Sequence, residues 1–289
     1  MTEGIPQDHR HTLSVSVYET TSDRPSVPGA LVAVAKEVHR YRWHIWTQFS
    51  RSLRGRFAFN HLGTIWALIL PVIPVSAYLF LRLVLAPDSS DSIHPALYVG
   101  LGVTIWFAFA GLILAPINTI DSQATLLARS HYPLSAAITS NLSVLAMDAL
   151  TRLVFILPFF LVLSKPSAAG ILLSLLVLLA GALFSLGLGC FALLLTLAIP
   201  DAKNLIDISL RYLIFLSLAI FPLPQWQWAE WVVVLNPLAI FIDGARSLLI
   251  LGETDKAFLI AGYSLLGLIV FVLGVRSLKS CERQIRGVL

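Results

Sequence analysis

Four stretches of this chain, residues 62–81, 96–120, 166–200 and 257–275, contain no Asp, Glu, Lys, Arg or His. An α-helix rises about 1.5 Å per residue, so roughly 20 apolar residues cross the ~30 Å hydrocarbon core of a bilayer. A membrane-spanning strand needs only about ten residues and alternates apolar with polar positions, which these runs do not do. The chain therefore reads as an all-α integral membrane protein. Its composition agrees, with 57% hydrophobic and 12% charged residues, where a soluble domain carries about 25% charged.

Six spans are expected, at about 62–85, 95–118, 135–163, 169–199, 205–223 and 256–276. Pro71 and Pro74 predict a kink in the first. Residues 1–31 are polar, lack an apolar signal-peptide core and read as a disordered cytoplasmic tail. Between them and the first span, residues 32–60 place Trp43, Trp46, Phe49, Leu53 and Phe57 on one helical stripe, flanked by Arg40, Arg42, Arg51, Arg54 and Arg56. Such a helix lies in the membrane interface, rings at the acyl boundary and guanidinium groups on phosphates. Near the other end, Trp226, Trp228 and Trp231 mark a membrane–water boundary. The apolar piece from Trp231 to Ile242 is too short to cross and is broken by Asn236-Pro237, so a re-entrant or interfacial helix pair is expected there.

Orientation follows from the positive charges. With both termini cytoplasmic, the inner segments hold fourteen of the twenty Lys and Arg, and the outer ones only Arg82, Lys165, Arg246 and Lys256. This bias places both ends inside. Cys190 and Cys281 do not form a disulfide framework and read as small packing residues.

No Gly-x-x-x-x-Gly-Lys-Ser/Thr phosphate loop, Gly-x-Ser-x-Gly elbow, Cys-x-x-Cys pair or His-Glu-x-x-His run occurs, so the chain has no catalytic motif and no cofactor or metal site of its own. Asp88 and Asp91 sit among serines in a short outer loop and read as solvated. Asp148 and Arg152 are four apart inside a span and can pair, and Asp207 and Arg211 repeat the spacing. Ionisable groups within a membrane face a bundle interior or a wet cavity, so these pairs either line a polar pathway or bridge helices structurally. Trp66, Tyr78, Tyr98, Trp106, Phe107, Phe109, Tyr212 and Phe215 can stack on sugar faces in a pore, or simply pack.

The segment from Arg51 to Pro71, with Leu62, Gly63, Trp66 and Pro71, resembles the permease family of polysaccharide-exporting ABC transporters. Ser52 departs from it, standing where an acidic residue is common. The likeness resumes at Asn236-Pro237-Leu238, Asp243, Arg246, Leu248-Leu249 and Gly252 and covers about residues 36–289. The resemblance implies a homodimer bound to two copies of a separate ATPase, which alone binds ATP and Mg. It implies that residues 121–134, with Asp121, Gln123, Arg129, His131, Tyr132 and Pro133, form the coupling segment, and that the helix carrying Arg51, Arg54 and Arg56 is a gate touching a head group. It further implies that a polyprenyl-diphosphate-linked glycan passes between two subunits in the bacterial inner membrane, with no nucleic acid involved. A drug or lipid permease, a polyprenyl-phosphate transferase and a non-transporting scaffold are the alternatives; the transferase is disfavoured by the scatter of the carboxylates.

Overall fold

The structure is a computed structural model that describes residues 26–57, 69, 72–85, 93–129, 132–164, 166–222, 231 and 234–288. The expected tail up to residue 25, the Leu62–Trp66 segment, Pro71, the loop with Asp88 and Asp91, His131, Trp226 and Trp228 lie outside them. Among the described residues every regular element is helical.

Helix α1 (Val27–Arg40) starts inside the stretch expected to be tail, because Ser26 caps it by accepting from Gly29 N at 3.3 Å and Pro28 favours the first turn. Helix α2 (Arg42–Phe57) follows after a break at Tyr41, so the basic amphipathic region is two helices. Helix α3 spans Val72–Leu85, the end of the first expected span. Helix α4, Pro95–Arg129, runs 35 residues, well past the end expected from the apolar run. Polar residues 118–129, expected to form a loop, instead continue the helix beyond the membrane-length apolar segment. Helices α5 (Leu134–Leu163) and α6 (Ala168–Ala198) follow, α6 capped by Ser167 onto Gly170 N at 3.0 Å.

Helix α7 covers Ala202–Leu213 and ends in a 3-10 turn, Ile214–Leu216. The regular helix stops well before residue 223, where the apolar pattern ends. Helix α8 (Pro237–Ile250) belongs to the expected re-entrant piece: Asn236 caps it through Ala239 N, and Pro237 opens the first turn. Helix α9 spans Ala257–Val288. Among the described residues four helices, α4, α5, α6 and α9, are long and apolar enough to cross a membrane; α3 is apolar but shorter.

Helix α4 is the most enclosed of these. Leu97, Val99, Val103, Trp106, Phe109 and Ile113 bury themselves against α6, α8 and the end of α7. Helix α9 packs along α6 at a small-residue crossing. A Cβ on Gly187 would lie 2.6 Å from Phe271 N, and one on Gly274 would lie 2.7 Å from Gly187 O. In lipid, helices associate through such close backbone approach, because lipid chains already solvate apolar side chains. A second apolar cluster at the basic end joins Ile45, Tyr132, Ala136, Leu193 and Leu278, and so ties α2 to α5, α6 and α9.

Candidate functional site

At the basic end, Tyr41 and, on α2, His44, Gln48 and Arg51 follow one another at helical spacing across from Leu126 near the end of α4. They enclose a cavity of about 580 Å³ bordered also by Trp43, Thr47 and Tyr132. Tyr41 and Tyr132 meet edge to face with centroids 5.6 Å apart, and His44 lies 6.3 Å from Tyr132. Burial pushes the Tyr132 phenol up to about 12, so it stays neutral at physiological pH. Arg51, expected at a head group, and Tyr132, expected in the coupling segment, therefore face one space. Arg54 is exposed outside that lining, and the Arg56 and Arg129 side chains are not among those described.

The rest of the 121–134 segment is anchored rather than loose. Asp121 pairs with Lys203 of α7, and this partner holds the lysine's ammonium above its usual range. Gln123 Nε2 donates to Ser140 Oγ at 3.0 Å. Pro133 stands at the N-cap of α5 without a side chain to offer its orphan amides. Glu282 of α9 supplies the acceptor, taking the Leu134 N–H at 3.0 Å, while Ser135 Oγ donates to Glu37 of α1. Lys279 bridges Glu37 and Glu282. The helices nearest both termini are thus fastened to Leu134 and Ser135, the first two residues of α5. Sequence reasoning missed this node; its signal was a helix start lacking an N-cap side chain.

Higher on α4, a second cavity of about 280 Å³ is bordered by Tyr78, Trp106, Phe107, Asp207 and Arg211. Tyr78 also meets Phe215 edge to face, centroids 6.1 Å apart. Three of the expected aromatic residues, Tyr78, Trp106 and Phe107, are brought together here. Arg152 stacks its guanidinium 4.9 Å from the centroid of Phe107, which places the half-buried Asp148 and Arg152 behind the same wall. Phe109 instead turns into the core against Phe241, Tyr212 is exposed, and Tyr98 belongs to a third constellation.

That constellation closes the broken end of α7. Residues 217–220 are buried and irregular, with Leu218 at φ 57°. Their carbonyls need donors, since none comes from a continuing helix. Asn236 Nδ2 reaches Leu216 O at 3.2 Å, Arg246 reaches Leu218 O at 3.0 Å, Arg82 reaches Ile220 O at 3.4 Å, and Tyr98 Oη reaches Phe221 O at 3.3 Å. Arg246 is wholly buried, with its guanidinium carbon 3.4 Å from the centroid of the Tyr98 ring. Arg82 stands 5.3 Å from the same centroid. Asp243 answers the charge, at 2.6 Å from Arg246 and 2.5 Å from Lys256. The Asn236-Pro237 and Arg246 motif thus serves as a set of remote helix caps. Arg82 and Tyr98 join it from α3 and α4, a meeting with no local signature in the chain.

The geometry defines a multi-pass helical membrane subunit with a basic, aromatic cavity at one end and a discontinuous helix at the other. The model of the ABC-2 type transporter family matches residues 43–250, most of the chain, and the chain belongs to that family. It is a permease subunit, and the ATP is hydrolysed by a separate partner. Among curated proteins, it is 22% identical over 226 residues to the O-antigen export system permease protein RfbA of Myxococcus xanthus, covering 75% of this chain and 84% of that protein.

Proposed function

We propose that this subunit exports a polyprenyl-diphosphate-linked polysaccharide, of O-antigen, capsule, teichoic acid or galactan type, across the bacterial cytoplasmic membrane. Two copies of the chain and two ATPase subunits form the transporter, with both termini cytoplasmic. The observation that carries this reading is the shared cavity of Arg51 and Tyr132. Arg51 offers a guanidinium fork of the kind that binds phosphate oxygens. Tyr132 belongs to the 121–134 segment that the ATPase grips. A head group seated there touches the gate helix and the coupling turn together, so substrate arrival and ATP use can be linked. The similarity to an O-antigen export permease supports the same substrate class.

The residues then act in sequence. The α2 guanidinium groups draw the diphosphate from the inner leaflet to the basic rim. ATP-driven closure of the partners moves the 121–134 segment, and the Glu37–Lys279–Glu282 node carries that motion to α1 and α9. The glycan follows along the aromatic face of α4. Reconstitution of the permease with its ATPase in liposomes tests the reading: undecaprenyl diphosphate-linked glycan should stimulate ATP hydrolysis and reach the far side. Stimulation by hydrophobic drugs or free phospholipid, and none by the glycan lipid, would establish the drug or lipid permease instead.

A further inference from the structure

The two apolar clusters of the fold meet at one level, and α4, α5, α6 and α9 all pass through it. Helix α4 belongs to the first cluster up to Ile113 and to the second from Ile117. Helix α6 changes over between Phe184 and Cys190, and α9 between Ile260 and Val275. Helix α5 runs the other way, with Ile138 in the second cluster and Ile156 in the first.

At that level each helix has its own weak point. Pro116 of α4 has no N–H, so the carbonyl of Leu112 one turn back loses its helical donor and the helix can bend there. In α5 the hydroxyls of Thr139, Ser140 and Ser143 turn back onto Ser135 O, Ala137 O and Thr139 O, a bonding that bends helices. In α6, Gly189 lies against the carbonyls of Leu112 and Ile113, which a Cβ would meet at 2.8 and 2.7 Å. Gly274 of α9 packs on Gly187 O. Backbones that touch with no side chain between them can turn on one another with little repacking.

Asn141 spans the proline. Its Nδ2 group donates to Ala115 O at 3.1 Å, just before Pro116, and to Thr119 Oγ1 at 3.3 Å, just after it. Thr119 is wholly buried, and its own hydroxyl donates to Ala115 O at 2.7 Å. Leverage decides how sensitive this contact is. Thr119 stands about 4.5 Å past Pro116 along the helix, and Arg129 about 20 Å past it. A bend of about 10° therefore moves the Arg129 end by about 3.4 Å and Thr119 by about 0.8 Å. That smaller shift, directed away from α5, already takes the 3.3 Å contact out of hydrogen-bond range.

We propose that this level is a hinge on which the ATPase turns the basic half of the subunit against the far half, and that Asn141 is the positioning residue that latches it at Pro116. The inference rests on the 121–134 segment, on the basic side of Pro116, being what the ATPase moves, and is independent of the cargo. The Asp121–Lys203 pair, the Gln123–Ser140 bond and the Glu37–Lys279–Glu282 node fasten that half together, so it swings as a unit.

The test is substrate-free ATP hydrolysis by the permease–ATPase complex in liposomes, with thermal melts alongside. Asn141→Leu keeps the volume and removes both bonds, while Ala115 O retains Thr119 as a donor, so the melt should change little. Its kcat should rise about threefold, within the worth of the hydrogen bonds removed, at an unchanged KM for ATP. Asn141→Gln keeps the amide and should restore most of the unmutated rate. Pro116→Ala returns a donor to Leu112 O and stiffens α4, so the melting temperature should hold or rise while kcat falls about threefold. Opposite signs from the two variants mark a hinge, because a residue that only stabilised the fold would lower activity in both. Changes of the same sign, an unaltered kcat in either variant or a shifted KM for ATP would overturn the proposal. The export reading is decided separately, by stimulation with the glycan lipid, which this assay omits.

Discussion

Arg246 donates to the carbonyl of Leu218 at 3.0 Å across 28 positions of sequence, and this bond marks the place where an apolar helix stops. The same side chain stacks on Tyr98 and pairs with Asp243. Arg246→Ala leaves a buried carboxylate half-answered and Leu218 O without its donor. A loss of about 3–5 kcal/mol is expected, read as a lower unfolding temperature in detergent. Arg246→Lys keeps one charge but lacks the fork, and should lie between the two.

Gly102 lets α4 approach the irregular segment. A Cβ there would fall inside van der Waals contact of the Ala219 carbonyl, a backbone atom that cannot swing away. Gly102→Ala should cost about 1–3 kcal/mol through overpacking, whereas alanine at Gly262, with nothing within 4 Å of its Cβ, should be neutral or stabilising. Paired thermal melts check both.

Tyr132 gives a pH signature. Its phenol sits near 12 in the folded protein against an ordinary 10, so folding favours the protonated form. Its contribution is complete below pH 10 and is lost as pH rises from 10 towards 12. Tyr132→Phe should flatten that part of the stability–pH curve. Arg51→Glu should leave the melt unchanged, because Arg51 is exposed, yet raise the KM for lipid-linked substrate at least tenfold.

Lys279 joins α1 and α9 to the start of α5 through Glu37 and Glu282. Lys279→Met leaves two carboxylates facing each other beside Ser135 and Leu134. Export per ATP hydrolysed should fall several-fold while basal hydrolysis persists, and Lys279→Arg should rescue it. Simultaneous transport and hydrolysis assays give that ratio.

Comparison of the four long helices with α7 shows how much of the fold was legible in advance. The starts of α5, α6 and α9 fall within one residue of the expected positions, and α6 ends one residue early. Length and apolarity of one segment are enough to set a membrane helix. The α7 segment carries Lys203, Asn204, Asp207 and Arg211 among its apolar residues, and its helix ends in the Ile214–Leu216 turn, where donors from Asn236 and from α3, α4 and α8 take the following carbonyls. Likewise Asp207 and Arg211 had the spacing to pair, but turn to a cavity whose other wall is α4.

The sequence by itself determined the class of protein: charge-free runs of bilayer length, a basic aromatic approach to the first of them, and Asn236-Pro237 as a break in an apolar piece too short to cross. Each is a property of contiguous residues, governed by local hydrogen bonding and by transfer into hydrocarbon. Only the tertiary structure decided that Arg51 and Tyr132 face one cavity, that Arg82 and Arg246 flank Tyr98, and that Tyr78, Trp106, Asp207 and Arg211 border another. Those meetings depend on which helix faces pack together, and partners tens of residues apart leave no periodic trace in the chain.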